Sequence, residues 1–389
     1  MKILVATGSF KDVFSPLEAS EMLYDALDKE KNEVSVIPFC DGGEYTYEVL
    51  RHCFPFQDVS VEGVLNPYGV PCTAHYLIRD KEAHIVSSQI LRLFPSEDER
   101  KNPLMLSDYG YGQLIADALH KGCTKLILYL GGTSTVCCGM GTIQALGAEL
   151  SDENGVCLKT PCKCSDLVHL SKIKTEKSCF KELHVHVVAD GNSKTDDLPG
   201  ITSLKVGKHF SEQTEEIVKV SMEGVKNILR LTGISSEQDF TGAAGGLLFG
   251  LEQVFSNITY TLGGLYFNEV FQVEQKIRES DLIITGEGRY DNTADGKAPS
   301  VIARLAKKNQ KPAVIVCGQV DKKKLGNYSG GIINGEDEPS LALQGITRVL
   351  TCQEFFDAMS LPDSYPERIA FFRQETPRLV RQLFQKTEL

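Results

Sequence analysis

The sequence predicts an α/β protein: a Rossmann-like parallel-sheet domain with a second α/β domain, of mixed sheet, inserted into it. Three observations predict this. Short apolar runs alternate with amphipathic stretches near both ends of the 389-residue chain. Segments of strand-like alternation at 57–90 interrupt that rhythm. Four of the apolar runs end in polar turns rich in glycine, the place where open α/β sheets receive ligands.

The elements follow in order. Residues 2–7 (KILVAT) read as a strand, and Leu17, Met22, Leu23, Ala26 and Leu27 recur at helical spacing over 16–30. Ser15 is a candidate cap for this helix and Pro16 suits its first turn. Glu33–Phe39 reads as a second strand, ending in Cys40-Asp41-Gly42-Gly43-Glu44 before a helix over Tyr47–Cys53. Residues 73–78 and 83–86 alternate on either side of Arg79-Asp80-Lys81, which suits an antiparallel hairpin. A helix over Tyr111–Lys121, a strand over Lys125–Leu130, the glycine-rich run 131–141 and a helix over Thr142–Leu150 follow. Residues 151–182 read as irregular and His184–Ala189 as a strand; 212–231 reads as a helix, and Thr241–Gly246 opens a further helix of small residues. The apolar run Leu282-Ile283-Ile284 passes into Thr285-Gly286-Glu287-Gly288-Arg289-Tyr290-Asp291, read as a turn, and then into a helix after Gly296-Lys297-Ala298-Pro299. Lys311–Cys317 is a strand, and the last ~25 residues are helical. The expected domains are 1–60 with 278–389, and 61–277.

Bulk properties narrow the function. A net charge of −11 without an offsetting basic stripe argues against a nucleic-acid partner. No apolar run reaches the ~20 residues that cross a bilayer. The start of the chain reads as a first strand and not as a signal peptide, so the expected location is the cytoplasm and the twelve cysteines are expected as free thiols. Cys157, Cys162 and Cys164, with His169 nearby, lack paired metal-ligand spacing and read as a cysteine-rich loop. The vicinal Cys137-Cys138 reads more readily as two small fillers than as a redox pair.

The four glycine turns are Gly8–Asp12, Asp41–Glu44, Gly131–Gly141 and Gly286–Asp291. Together they suggest a cleft lined by strand ends, with backbone amides turned toward phosphate oxygens. None is a P-loop or a dinucleotide fingerprint, so an NAD-type dehydrogenase is disfavoured. Acids stand at the strand ends: Asp41, Glu44, Asp190, Glu287 and Asp291. Lys11, Arg289 and Lys297 are the candidate cations, and Ser9, Ser134 and Thr135 the candidate hydroxyls. Phosphoryl transfer needs this set: cations and Mg²⁺ for phosphate charge, and an acid to orient the attacking hydroxyl. The alternative for each residue singly is structural, an acid capping a helix or a base pairing at the surface.

At these residues the chain resembles the two-domain, bacterial-type glycerate kinases of the glycerate kinase type 2 family. The family's opening Asp-Ser-Phe-Lys-Gly stands here as Gly8-Ser9-Phe10-Lys11-Asp12, and its Ala-Asp-Gly-Gly-Glu-Gly-Thr as Cys40-Asp41-Gly42-Gly43-Glu44-Tyr45-Thr46. Gly-Ala-Ala-Gly-Gly is intact at 242–246, Thr-Gly-Glu-Gly-Arg-x-Asp at 285–291 and Gly-Lys-Ala-Pro at 296–299. The resemblance implies ATP-dependent phosphorylation of D-glycerate, at the 2-hydroxyl, with Mg²⁺. On this reading Lys11, Asp190, Arg289 and Asp291 carry the chemistry. Ser9, Asp41, Gly42, Gly43, Glu44, Gly131, Gly132, Ser134, Thr135, Gly245, Gly286, Gly288 and Lys297 seat nucleotide and substrate, and Asp41 and Glu287 hold the metal. The partner is then a small hydroxy acid, with a homodimer left open.

The chain also departs from the pattern. The family's opening Asp is Gly8, and the Asn-Asp of its glycine-rich run is Val136-Cys137. Two other readings therefore stand beside the first: a paralogue without catalysis that binds a small acid or nucleotide, and a kinase for another sugar acid.

Overall fold

The computed structural model describes residues 1–10, 12–92, 102–176, 180–195, 215–290, 298–320, 331–334, 341 and 346–387. The chain forms two contact-dense units, Met1–Asp41 with Gly264–Leu389, and Gly42–Gly263. The expected divisions lay at 60/61 and 277/278. Residues 42–60 sit in the second unit because the helix Thr46–Cys53 packs on the strands Pro71–Arg79 and Glu82–Val86, and Gln57–Leu65 pairs with Pro71–Arg79. Residues 264–277 sit in the first, where the helix Val273–Glu279 packs on Lys2–Thr7 and on the helix Ala298–Lys308.

The first unit is built on a six-stranded sheet. Its spatial order is Ile332–Asn334, Ile346–Thr351, Ala313–Val320, Leu282–Tyr290, Lys2–Thr7, Glu33–Pro38. All neighbours are parallel except the short edge strand Ile332–Asn334. Strand alternation feeds two cores. Ile3, Val5, Leu282, Ile284, Val314 and Val316 pack with the helices Pro16–Ala26 and Tyr365–Thr387. Ile315, Cys317 and Val349 belong to the other core, with Ala303 of the helix Ala298–Lys308. Pro16–Ala26 starts as its sequence indicates: Ser15 accepts from the Glu18 amide, Glu18 accepts from the Ser15 amide, and Pro16 occupies the first turn.

One expectation fails here in an informative way. The segment read as a turn after Ile284 continues as strand to Tyr290, in register with Ala313–Val320 through the pairs Glu287–Cys317 and Tyr290–Val320. The glycines mark close backbone approach rather than a reversal. A Cβ on Gly286 would lie 2.6 Å from the Val316 carbonyl oxygen.

The second unit has a mixed sheet in the order Ile258–Leu262, His184–Ala189, Lys125–Leu130, Glu82–Val86, Pro71–Arg79, Gln57–Leu65. The first four run parallel and the last two are antiparallel hairpin strands. The helix expected over Thr142–Leu150 spans only Met140–Ala145. Gly147, at φ +93°, turns the chain out of it. Glu149–Ser151 becomes a strand paired with Lys172–Lys174, inside the stretch expected to be irregular. The helix of small residues expected from Thr241 is instead a 3₁₀ turn, Ala243–Gly245, followed by the helix Leu247–Val254. Left-handed backbone at Ala244, Gly245 and Gly246 separates the two.

At the amino ends of the parallel strands, Glu82 bridges Lys125 and receives a 2.7 Å hydrogen bond from His84 Nε2; His84 Nδ1 lies 2.9 Å from the Tyr129 hydroxyl. The bond from His84, joined by Lys125, holds the Glu82 carboxyl down at about 2. A depressed carboxyl contributes stability above its ordinary value of about 4.5 and loses it as the pH falls toward 2. Burial also depresses the His84 imidazole, which adds an acid penalty beginning below its ordinary value of 6.5. The urea midpoint is therefore expected to fall from pH 6.5 down to 2, and Glu82→Gln is expected to flatten the limb between 4.5 and 2.

Candidate functional site

In the first unit the carboxyl ends of the parallel strands carry Gly8-Ser9, the Pro38–Asp41 segment and the end of Leu282–Tyr290. Thr7 ties two of these together by donating its hydroxyl to the Gly286 carbonyl at 2.9 Å. Glu287 is buried at 6% exposure, and Arg289 two residues on is exposed. Asp41 and Ser9 are half-buried. Lys11, Asp291 and Lys297 lie outside the described residues. At Gly8, the position of the family pattern's Asp, a Cβ would approach the Ala298 Cβ to 3.0 Å. The absent side chain is thus matched by a close approach of the helix Ala298–Lys308.

In the second unit three turns meet at one sheet edge. Asp190, just past His184–Ala189, lies against Gly131, where an added Cβ would sit 2.3 Å from Asp190 Oδ2 and 2.7 Å from its Cβ. Glu44 and Ser88 close on Gly132 in the same way, at 2.8 Å from Glu44 Cγ and 3.1 Å from Ser88 Cβ. Gly42, at φ +96°, lies under Val188. Ser87 fixes the turn by donating to the Gly131 carbonyl at 2.8 Å and accepting from its amide at 3.1 Å. Gly131→Ala should therefore push back the whole Asp190 side chain, whose Cβ the backbone holds, and is expected to lower the denaturation midpoint as well as to cost about a hundredfold in kcat/KM. Steady-state kinetics beside a urea melt checks this.

The run after Gly132 is anchored along its length. Ser134 donates its hydroxyl to the Leu91 carbonyl at 2.7 Å, leaving its lone pairs for any ligand. The Cys138 amide donates to the Gly245 carbonyl at 3.2 Å. Thr135 is buried, and its hydroxyl has no hydrogen-bond partner among the described residues. Asp108, which the sequence reading missed, is wholly buried and accepts from the Gly139 and Thr142 amides at 2.9 and 2.7 Å. Burial pushes its carboxyl up to about 6 against those donors. No motif marks Asp108; its role follows only from the amides brought to it. Val136 and Cys137, where the family pattern has Asn-Asp, are buried in the second unit's core. Cys137 is disulfide-bonded to Cys164, so the expectation that every cysteine is a free thiol fails. Burial raises the neighbouring Cys138 and Cys162 thiols well above their ordinary value.

Among the described residues no three His, Cys, Asp or Glu side chains gather into a metal cage. Mg²⁺ carried by a nucleotide does not require one, since one or two carboxylates and the phosphates hold it. The buried Glu287 at the carboxyl edge of a parallel sheet fits such a role, as does the half-buried Asp41.

A family model described as "Glycerate kinase family" matches residues 3–335. A glycerate kinase of Bacillus subtilis is 28% identical over 357 residues, covering 85% of this chain and 88% of that one. A glycerate 2-kinase of Escherichia coli is 28% identical over 349 residues, covering 82% and 86%. A crystal structure assigned as glycerate kinase 2 of Salmonella typhimurium LT2 shares the fold, with a TM-score of 0.71 at 23% identity over 100% of this chain and 98% of that chain. The chain belongs to the glycerate kinase family.

Proposed function

We propose that the protein transfers the γ-phosphoryl group of ATP to D-glycerate, at the 2-hydroxyl, giving 2-phosphoglycerate. The observation that carries this reading, in a chain of this family, is the seating of Asp190 and Glu44 on the Gly131–Gly132 turn at the carboxyl edge of parallel strands. Asp190 receives the proton of the attacking hydroxyl, as Asp291 does in the alternative assignment. The hydroxyl oxygen bonds to the γ-phosphorus while the bond to the β–γ bridging oxygen breaks, releasing ADP. On the first unit, Arg289 and Lys11 offset phosphoryl charge, with Lys297 following Arg289 in the sequence. Ser9, Gly286 and Gly288 line the same strand ends, and Gly43, Ser134, Thr135 and Gly245 belong to the turns of the second unit. Glu287 and Asp41 would hold Mg²⁺, which supplies neutralisation of phosphate charge when bound.

The burial of Val136 and Cys137 favours a second reading, in which the acid accepted is another sugar acid or is bound without turnover. Purified protein incubated with Mg-ATP and a panel of sugar acids separates these. The first reading expects ADP release with D-glycerate and its loss in Arg289→Ala. Turnover with another acid alone, or a raised melting temperature with no turnover, supports the second.

A further inference from the structure

We propose that Arg92 recognises the carboxylate of the acid substrate and so sets the substrate class of the second unit's sheet edge, an inference that rests on the phosphotransferase reading above. Glu44 and Asp190 at that edge would repel an anionic substrate, and a hydroxy acid needs a counter-charge beside them. Arg92 supplies one. It ends the short helix Ser88–Leu91, and its backbone, at φ −70° and ψ 138°, carries the chain out of that helix. Its Nε lies 3.9 Å from Glu44 Oε1, and its guanidinium sits 5.9 Å from the centre of the Tyr45 ring. The Arg92 side chain is 37% exposed and that of Glu44 25%, so a solute can reach both.

Three features point to an anion rather than to a structural ion pair. A contact of 3.9 Å between solvent-reached side chains is long for a charge-assisted hydrogen bond and readily exchanged. The guanidinium fork matches a carboxylate with two parallel N–H···O bonds. The Ser88 hydroxyl, buried at 5% exposure, has no partner among the described residues. Ser88 and Glu44 both close on Gly132, so a donor hydroxyl stands at the turn that Glu44 and Arg92 border. An incoming carboxylate takes the guanidinium from Glu44, with the Ser88 proton as a further donor. Glu44 is then released toward the substrate hydroxyls.

Steady-state kinetics of the full chain, Arg92→Ala and Arg92→Lys test this, with D-glycerate, Mg-ATP, and glycerol as the same skeleton without a carboxylate. Arg92→Ala is expected to raise KM for D-glycerate by roughly tenfold to a hundredfold, the scale of a hydrogen bond to a charged group. KM for ATP, kcat and any turnover of glycerol should change less than about threefold. Arg92→Lys keeps the charge but not the fork and should recover part of the loss. An unchanged KM for D-glycerate overturns the inference and leaves the phosphotransferase reading standing. A rise in KM for ATP instead assigns Arg92 to phosphate and likewise overturns it. If the natural chain turns over no D-glycerate, the phosphotransferase reading fails by itself. Calorimetry with D-glycerate then decides the inference separately: binding weakened by Arg92→Ala supports it, and binding that is absent or equal in both proteins overturns it.

Discussion

The double variant Val136→Asn, Cys137→Asp is expected to be at least about 3 kcal/mol less stable than the natural chain, and no faster. It restores two polar residues of the family pattern, yet their positions are now part of the packing. Val136 is 4% exposed and Cys137 fully buried. An aspartate at 137 also removes the bond to Cys164, which closes a loop between residues 27 apart. Loop closure of that length is worth about 3–4 kcal/mol in the chain-entropy account. Urea denaturation without reductant measures the total, and Cys137→Ser under the same conditions isolates the contribution of the bridge. A double variant as stable as the parent, and with higher kcat, contradicts this account of the departures.

Gly245→Ala is expected to lose about 3 kcal/mol or more of stability and at least about a hundredfold in turnover. Gly245 holds φ +68°, and a Cβ there would lie 1.7 Å from the Thr135 carbonyl oxygen and 2.7 Å from its carbonyl carbon. No rotamer relieves a clash with backbone. The Ser134-Thr135 segment must move, and with it the bond from the Cys138 amide to the Gly245 carbonyl. Gly63→Ala is the control. That glycine also has positive φ, at +74°, but nothing lies within 4 Å of an added Cβ. Its cost should be limited to the left-handed backbone, about 1–2 kcal/mol. Denaturation midpoints of the two variants, read beside kcat, separate backbone strain from steric displacement of the turn.

Much of the fold was legible because its strands are short apolar runs punctuated by glycine. Lys2–Thr7, Glu33–Pro38, Lys125–Leu130 and His184–Ala189 lie almost where their composition places them. The hairpin of Pro71–Arg79 with Glu82–Val86 followed from its alternation and its polar break. Ile258–Leu262 escaped notice because it is a half-exposed edge strand whose partner, His184–Ala189, is far away in sequence. Gly286 and Gly288 misled because glycine punctuates turns and also permits two strands to approach closely. Only the register with Ala313–Val320 tells these apart.

The site was legible to the extent that its chemistry sits in motifs. Asp190, Glu44, Gly131 and Gly132 were marked by strand ends, and they meet in the second unit. Arg92 and Asp108 carry no motif. One matters through its approach to Glu44 and the other through the amides of Gly139 and Thr142. The Cys137–Cys164 pairing could not come from spacing, since cysteine counts leave connectivity open.

Phosphorus NMR of the purified protein with Mg-ATP and D-glycerate tests the central claim most directly. The account predicts that the ATP γ-phosphate signal declines while a phosphate monoester of glycerate grows in, one for each ADP formed, with the coupling pattern of a 2-phosphate. Folded protein that leaves D-glycerate unphosphorylated, or that consumes ATP without forming a phosphoglycerate, contradicts it.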